Sequence, residues 1–194
     1  MNQPGLILVS YGGRGVVELD DGRRQDCTYR RSVGRPYCGD RVTVQHADGE
    51  SAVVVEIEPR RNAFARADAR QRKQVIAANL DRVLIVIAPN PQPSRDLVER
   101  YLVAVHSLGI EPVLVLNKAD LRNPAPTGSD GPLNHLDDYR ALGYPVVTTS
   151  CKGPPGTGEL DSALKNRVSI LVGQSGVGKS SLVNAVLPDL DLQT

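Results

Sequence analysis

The sequence has no tryptophan, one phenylalanine and only three cysteines among its 194 residues. A small and odd number of cysteines argues against a disulfide framework, so we expect a reducing, cytoplasmic setting. Residues 1–5 contain no basic segment, and no long apolar segment follows them, so we expect no signal peptide. The longest apolar runs, at residues 83–88 and 113–116, are much shorter than the about 20 residues that cross a bilayer. We therefore expect no membrane partner. We also expect the protein to be a monomer.

An excess of one charge is also missing, because 23 Lys and Arg face 22 Asp and Glu, a formal net charge of +1. This balance argues against a protein that coats nucleic acid by bulk charge. The charge is nevertheless uneven, since residues 60–73 alone have a net charge of +5. The basic residues of this segment are Arg60, Arg61, Arg66, Arg70, Arg72 and Lys73. They indicate either a solvated helical face or linker, or contacts with an RNA backbone.

Residues 1–59 are predicted to form an all-β domain. The five predicted strands are residues 6–11, 15–19, 26–30, 41–45 and 51–57, separated by Gly and Asp turns. Five short strands in so few residues predict a small closed barrel, with an OB-fold as the first candidate and an SH3-like barrel as the second. Such barrels bind oligonucleotides through aromatic side chains. Tyr11, Tyr29 and Tyr37 could serve, with ordinary barrel packing as the alternative for each.

Residues 75–194 are predicted to form an α/β domain, which leaves residues 60–74 as a basic connector. Strands are predicted at residues 82–88, 112–116, 146–149 and 168–172, and helices at residues 95–108, 136–142, 159–165 and 179–187. This alternation predicts a parallel sheet, in which ligands bind at the carboxyl ends of the strands. The first helix is predicted to bury Leu97, Tyr101, Val105 and Leu108. Residues 121–135 are predicted to be a loop.

The most specific motif is Gly-Gln-Ser-Gly-Val-Gly-Lys-Ser at residues 173–180, which fits G-x-x-x-x-G-K-[ST]. It follows an apolar strand and opens a helix, which is the context of a phosphate-binding P-loop. The glycines let backbone N–H groups surround a phosphate, and the helix N-terminus adds its dipole. Lys179 would reach the β- and γ-phosphates and the Ser180 hydroxyl would ligate Mg²⁺. These two side chains are the predicted catalytic residues.

Two further motifs follow predicted strands. Asn-Lys-Ala-Asp at residues 117–120 places Asp120 where a carboxylate can accept the N1–H and 2-amino bonds of guanine, a pair of donors that adenine lacks. Ser-Cys-Lys at residues 150–152 is similar to the loop whose backbone contacts the guanine O6 in GTPases. Cys151 is interpreted as a loop residue, because no Cys/His cluster that could bind a metal accompanies it. The predicted nucleotide-binding residues are Asn117, Lys118, Ala119, Asp120, Ser150, Cys151, Lys152, Gly173, Gln174, Ser175, Gly176, Val177, Gly178, Lys179, Ser180 and Ser181.

The order of these motifs is unusual, because the guanine motif precedes the P-loop, whereas ordinary GTPases have the P-loop first. This order resembles a circularly permuted GTPase. The predicted barrel, the P-loop sequence, residues 77–83 (Ala-Ala-Asn-Leu-Asp-Arg-Val) and residues 100–103 (Arg-Tyr-Leu-Val) are similar to the RsgA family, also called YjeQ or EngC. The resemblance covers essentially the whole chain.

The resemblance implies a Mg²⁺-dependent GTPase that is stimulated by the small (30S) ribosomal subunit and acts late in its maturation. It also implies contacts with ribosomal RNA through the OB domain and the basic connector. Lys118 is expected to pack its aliphatic stem over the base. One alternative is an rRNA-binding assembly module that responds to guanine nucleotide without hydrolysing it. Another is a P-loop ATPase, which the guanine motif disfavours.

The chain departs from the family pattern after the P-loop helix. The family continues with a switch region, a D-x-P-G motif and a zinc domain with Cys/His ligands, whereas no D-x-x-G, Cys or His follows residue 180 here. We therefore expect a C-terminally truncated chain, and we assign zinc to no residue. Gly176 stands where potassium-dependent GTPases have Asn, so no K⁺ site is assigned either.

Overall fold

The computed structural model describes residues 2–46, 52–67, 73–121 and 133–187. The chain divides into two compact units, Met1–Leu80 and Asp81–Thr194. Within the described residues, no helix has the length and apolar character needed to cross a membrane. Arg70, Arg72 and most of the predicted loop at residues 121–135 lie outside the described residues.

The first unit contains a closed five-stranded barrel, which confirms the predicted OB-like fold. Its strands are β1 (Asn2–Tyr11), β2 (Arg14–Leu19), β3 (Arg24–Tyr29), β4 (Arg41–His46) and β5 (Ala52–Ile57). They pair in the order β1-β2-β3-β5-β4, and β4 closes the barrel against β1. Only β3 and β5 pair in parallel. The strands alternate between buried and exposed positions because one face of each points into the barrel.

The barrel core consists mainly of β-branched residues, which pack well on a pleated surface. Ile7, Val17, Val42 and Val54 are all essentially inaccessible to solvent, and burial of each such side chain contributes ~1.5–3 kcal/mol. Cys27 lies in the same cluster. Burial raises the pKa of its thiol to about 11, so this cysteine behaves as a small apolar residue at neutral pH.

The segment predicted as a connector folds as part of the first unit. β6 (Ala63–Ala67) and β7 (Lys73–Ala78) form a two-stranded antiparallel sheet, so the interpretation as a helical face or linker is wrong for these residues. The compact units divide after Leu80 and not at residue 75, because β7 pairs with β6 and does not join the parallel sheet.

A buried ion pair fixes the start of this segment to the barrel. Asp40 is fully buried, and its two carboxylate oxygens accept hydrogen bonds from Arg60 Nε at 2.7 Å and Arg60 Nη2 at 2.8 Å. The backbone N–H of Tyr37 also donates to Asp40, at 2.8 Å. This hydrogen bonding to Asp40 raises the pKa of Arg60. Arg60 therefore has a carboxylate partner, and its charge is compensated inside the protein.

The second unit is a parallel α/β sheet, as predicted. Its strands are β8 (Arg82–Ile87), β9 (Glu111–Leu116), β10 (Val146–Thr148) and β11 (Ser169–Val172), in the order β10-β9-β8-β11. Its helices are α1 (Arg95–His106), α2 (Leu136–Ala141), α3 (Gly158–Leu164) and α4 (Lys179–Val186). β8 and β9 each bury five consecutive residues because both of their faces are covered.

Helix α1 begins at the cap Ser94, whose hydroxyl oxygen accepts a hydrogen bond from Leu97 N at 3.3 Å. The helix buries Val98, Leu102 and Val105. The predicted buried face was therefore wrong by about one residue, since Leu97, Tyr101 and Leu108 are only partly buried. The predicted and the observed sets of buried residues both have helical spacing and share Val105. The spacing alone therefore could not show which of the two sets is buried.

Candidate nucleotide-binding site

The four parallel strands end at the same edge of the sheet, and the three predicted motifs lie there. Residues 117–120 follow β9, residues 150–152 lie two residues beyond β10, and residues 173–178 connect β11 to α4. This placement follows from the topology, because parallel strands bring the loops after their carboxyl ends together.

The loop between β11 and α4 has a backbone that requires glycine. Gly173, Gly176 and Gly178 have φ angles of +147°, +81° and +94°, a region that residues with a Cβ rarely adopt. A Cβ at Gly173 would overlap the carbonyl oxygen of Val86. The loop can therefore turn tightly before α4 and leave the first N–H groups of the helix directed at a ligand.

Lys179 reaches back over this loop. Its ammonium donates to the carbonyl oxygens of Gly173 at 3.1 Å and Gln174 at 2.7 Å. The positive charge is thus held beside the loop glycines, where it can meet an anion. Ser180 follows in the first turn of α4 with an exposed side chain, so its hydroxyl is accessible to a ligand.

Asn117 connects the loop after β9 to the glycine loop. Its side chain is 2% exposed, and Nδ2 donates to the carbonyl oxygen of Val177 at 2.8 Å. Gly178 lies so close that a Cβ built there would be 2.5 Å from Asn117 Nδ2. Since Asn117 Oδ1 is buried without a hydrogen-bond partner, this side chain keeps one acceptor free.

Lys118 makes a second connection to the same loop. Its ammonium donates to the carbonyl oxygens of Gly176 at 2.6 Å and Asn90 at 2.8 Å. Its backbone is left-handed, with φ +56°, which turns the chain away from β9. Lys118 therefore joins three loops that follow three different strands.

Asp120 and Ser150 join the loops after β9 and β10. Ser150 Oγ donates to Asp120 Oδ1, and Lys152 N donates to Ser150 Oγ at 3.1 Å. The backbone of Ala119 donates to the carbonyl oxygen of Thr149 at 3.2 Å. These bonds orient the Asp120 carboxylate, whose side chain remains exposed.

A cavity of about 160 Å³ lies between these loops. Of the residues predicted from the motifs, it is lined by Asn117, Lys118, Asp120, Ser150, Cys151, Lys152, Gly178 and Ser181. Gly173, Gln174, Ser175, Gly176, Val177, Lys179 and Ser180 do not line it and belong to the adjacent glycine loop and the start of α4. The structure thus places a pocket of a kind that could hold a base next to a loop that could hold phosphates, with Gly178 and Ser181 at their junction.

Two residues of this site were not predicted from the sequence. Leu121 lines the cavity directly after the guanine motif and is half-exposed. Asn90 contributes only a backbone carbonyl, and no residue type at that position could have indicated its contact with Lys118. An apolar residue directly after the guanine motif is the one sequence signal that could have indicated Leu121.

Cys151 lies at the mouth of the cavity with an exposed side chain. Partial burial, and then the nearby Asp120 charge, raise the pKa of its thiol. The thiol is therefore protonated at neutral pH and is a poor nucleophile. Within the described residues, no group of three or more His, Cys, Asp or Glu side chains could hold a metal ion.

The predicted RNA-contacting residues have different surroundings. Arg60 is paired with Asp40, and Arg61 Nη2 donates to the carbonyl oxygen of Asn79 at 3.0 Å. Arg66 and Lys73 have exposed side chains on β6 and β7. Arg70 and Arg72 lie outside the described residues.

Comparison with known proteins identifies the family. The model of the RsgA GTPase family matches residues 57–194. The chain belongs to the RsgA GTPase family. Among curated members, the Small ribosomal subunit biogenesis GTPase RsgA of Azotobacter vinelandii is 42% identical over 97% of this chain and 56% of its own length. The RsgA of Pseudomonas aeruginosa strain LESB58 is also 42% identical, over 97% of this chain and 55% of its own length.

Solved structures of RsgA relatives share the fold. YjeQ from Thermotoga maritima superposes with a TM-score of 0.80 at 30% identity, over 100% of this chain and 68% of that one. YloQ, described as a circularly permuted GTPase, gives a TM-score of 0.75 at 27% identity, over 97% of this chain and 66% of that one. The chain spans about half the length of the curated RsgA relatives it matches.

Proposed function

We propose that this chain carries the base-binding and phosphate-binding sites of a GTPase that hydrolyses GTP during late maturation of the small (30S) ribosomal subunit. The names of the curated relatives support the biological role. The chemistry is supported by one observation: the loops after β9 and β10 line one cavity, and the loop after β9 is hydrogen-bonded to the glycine loop before α4.

Base selection is assigned to Asp120 and Asn117. Asp120 is oriented by Ser150 at the cavity, where its carboxylate can accept the N1–H and 2-amino bonds of guanine. Adenine offers no such pair of donors, so its binding would leave the carboxylate without those bonds. Lys118 lines the same cavity with its stem while its ammonium holds the glycine loop.

Phosphate binding is assigned to residues 173–178 with Lys179, Ser180 and Ser181. The residues present fit a Mg²⁺–nucleotide complex, because an accessible hydroxyl oxygen, which is a ligand type that Mg²⁺ prefers, follows a glycine cradle and an ammonium group. Bound Mg²⁺ would neutralise charge on the phosphates. Lys179 would exchange its carbonyl partners for phosphate oxygens, and Ser180 would supply the metal ligand.

The partners proposed for this chain are GTP, GDP and the small subunit with its rRNA, in the cytoplasm and as a monomer. The barrel unit is assigned to RNA, since OB-folds bind oligonucleotides and β6–β7 adds exposed basic side chains at Arg66 and Lys73. The alternative function is guanine-nucleotide binding without turnover. Phosphate release in the presence of small subunits distinguishes the two, because a GTPase releases phosphate over many turnovers and a binding module does not.

The test of the base site is a titration of the chain with fluorescent GDP and ADP analogues. We expect strong preference for guanine, and Asp120→Asn should lower GDP affinity on the order of 100-fold while improving the binding of xanthosine diphosphate. Asp96→Asn makes the same change of charge at an exposed residue of α1 and should leave both affinities unchanged. Equal affinity of the wild-type chain for GDP and ADP would contradict the proposal.

A further inference from the structure

A second cavity, of about 250 Å³, lies within the first unit. It forms where the segment between β3 and β4 meets the β6–β7 sheet, and its lining includes Arg35, Tyr37, Arg66 and Ile76. The two segments are joined by an isolated parallel β-bridge between Cys38 and Ala77 and by a 2.9 Å hydrogen bond from Ala78 N to the carbonyl oxygen of Cys38. Hydrogen-bonded backbone therefore holds the two walls of the cavity together.

The cavity has two positive charges that have no acidic partner among the described residues. Arg35 donates to the Ser10 carbonyl oxygen from Nη2 at 3.2 Å and to Ser10 Oγ from Nε at 3.5 Å, and it makes no ion pair with the residues that the structure describes. Arg66 is exposed on β6, and its side chain makes no hydrogen bond or ion pair within the described part of the chain. No Asp or Glu lines the cavity. By contrast, the nearby Arg60 is neutralised by Asp40. An anion entering the cavity would find two available guanidinium groups.

An aromatic ring lies beside these charges. The guanidinium carbons of Arg60 and Arg35 lie over the Tyr37 ring, at 5.1 Å and 5.7 Å from its centre. Because Arg60 is held by the buried Asp40, the ring is packed against a fixed group. Ile76 adds a partly exposed apolar side chain to the lining. Aromatic and apolar surface next to arginine is the combination that recognises an unstacked base and its phosphate.

We propose that this cavity is a subsite for one unpaired nucleotide of a single-stranded RNA segment, with its phosphate on Arg35 and Arg66 and its base against Tyr37 and Ile76. The proposal rests on the RNA contact in the proposed function and specifies where that contact is made. An acidic peptide would use the two arginines but gain nothing specific from the ring. The cavity is smaller than the about 300–1,000 Å³ of pockets that enclose a free ligand, which favours one unit of a longer strand.

The test measures binding of a short fluorescein-labelled single-stranded RNA to the full chain by anisotropy, between about 50 and about 200 mM salt. Arg35→Gln and Arg66→Gln should each weaken binding and reduce the slope of log K against log salt by about 0.7, the value for one lost phosphate contact. Tyr37→Leu should weaken binding about 5- to 100-fold, the range measured for loss of one stacked base.

Two variants serve as matched controls. Tyr37→Phe keeps the ring and should bind within about twofold of the wild type, since stacking needs only the aromatic face. Arg23→Gln removes one charge at an exposed residue that does not line the cavity, and it should leave the salt slope unchanged. Unchanged GDP affinity of all variants would show that the second unit is intact, and thermal unfolding would report on the barrel.

The outcomes distinguish the proposed subsite from the proposed RNA contact of the barrel unit as a whole. If the wild-type chain does not bind the RNA even at low salt, both the subsite and the proposed RNA contact are wrong, whatever the GDP titration gives. If it binds and the cavity variants behave like Arg23→Gln, the subsite alone is wrong. If only the arginine variants weaken binding, the cavity is an anion site suited to an acidic partner, and the assignment to a nucleotide base is overturned.

Discussion

Gly178 is a residue where the two halves of the proposed nucleotide site lie close together. It caps α4 in a left-handed conformation, and its backbone lies against the Asn117 amide. Asn117 in turn donates to the carbonyl oxygen of Val177, the residue before Gly178. A side chain at position 178 would separate these groups, so the glycine is required for contact between the loops as well as for the turn itself.

Gly178→Ala should therefore lower the free energy of unfolding by about 2 kcal/mol or more and strongly weaken GDP binding, because left-handed strain and overlap with Asn117 add together. Gly22→Ala is the matched control, since Gly22 has φ +84° but open space around its Cβ position. It should cost only the about 1 kcal/mol of left-handed strain. Equal losses of stability in urea denaturation would show that the contact with Asn117 contributes nothing.

Cys27 makes the stability of the barrel depend on pH in the alkaline range. The thiol is about 1% exposed and its pKa rises from 9.0 to about 11 on folding. Below pH about 9 the thiol is protonated in both states, so it adds no pH dependence. Between about 9 and about 11 only the unfolded chain loses the proton, so unfolding becomes easier by up to about 2 kcal/mol.

Urea denaturation at intervals from pH 8 to pH 11 would measure this effect, because this range spans the pKa of the thiol in the unfolded chain and reaches that in the folded one. Cys27→Ala should be less stable at neutral pH because it leaves a small cavity. The difference in free energy of unfolding between this variant and the wild type should become smaller as the pH rises from about 9 to about 11. Parallel pH curves for the two proteins would contradict the assignment to Cys27.

At the scale of elements, the Asp40–Arg60 pair connects the β3–β4 segment to the chain that leads into β6. The pair is charged, bidentate and buried on the Asp40 side. Loss of the Arg60 guanidinium leaves the buried Asp40 carboxylate with the Tyr37 N–H as its one hydrogen-bond donor among the described residues. Such a carboxylate is costly because burial without compensation disfavours its charge.

Arg60→Gln should lower the free energy of unfolding of the barrel unit by about 3 kcal/mol, the usual cost of breaking a buried pair from one side. Arg41→Gln removes the partner of Asp20 from an exposed pair at 3.3 Å and should cost less than about 1 kcal/mol. The comparison, by thermal unfolding followed with circular dichroism, would contradict the structural role of Arg60 if both variants lost the same amount.

The elements also show which parts of the fold can be predicted from sequence. The strands and helices of the second unit lie within one or two residues of their predicted bounds, because each has continuous apolar or helical periodicity. β6 and β7 were missed because their charged residues suggested a solvated segment. Their pairing, such as Phe64 with Ala77, is a long-range contact that no local pattern encodes.

In the candidate site too, some features could be predicted from the sequence and others could not. The three motifs could be recognised because each is short and continuous, and the rule for parallel sheets brings them to one edge. The contacts that join them could not be predicted, because Lys118 reaches the backbone of Asn90 and Gly176, whose side chains are irrelevant to the bond. The pairing of Arg60 could not be predicted either, since its partner Asp40 is 20 residues earlier in the chain.

At the scale of the whole molecule, the two units have separate cores and separate chemistry. The first surrounds its apolar residues with a closed barrel, and the second covers a parallel sheet with helices. The sites proposed for the base and the phosphates both lie in the second unit, while the cavity proposed for RNA lies in the first. Each proposal can therefore be tested with variants confined to one unit.

The strand order β10-β9-β8-β11 has a consequence for how the protein is made. Synthesis proceeds from the N-terminus, so β8, β9 and β10 leave the ribosome as three adjacent strands before β11 exists. The loops proposed to bind guanine are thus synthesised first, and the glycine loop follows with β11, which pairs with the edge of β8. On the proposed assignment, a nascent chain acquires its phosphate loop last, whereas a GTPase with the usual motif order makes its phosphate loop before its base-reading loop.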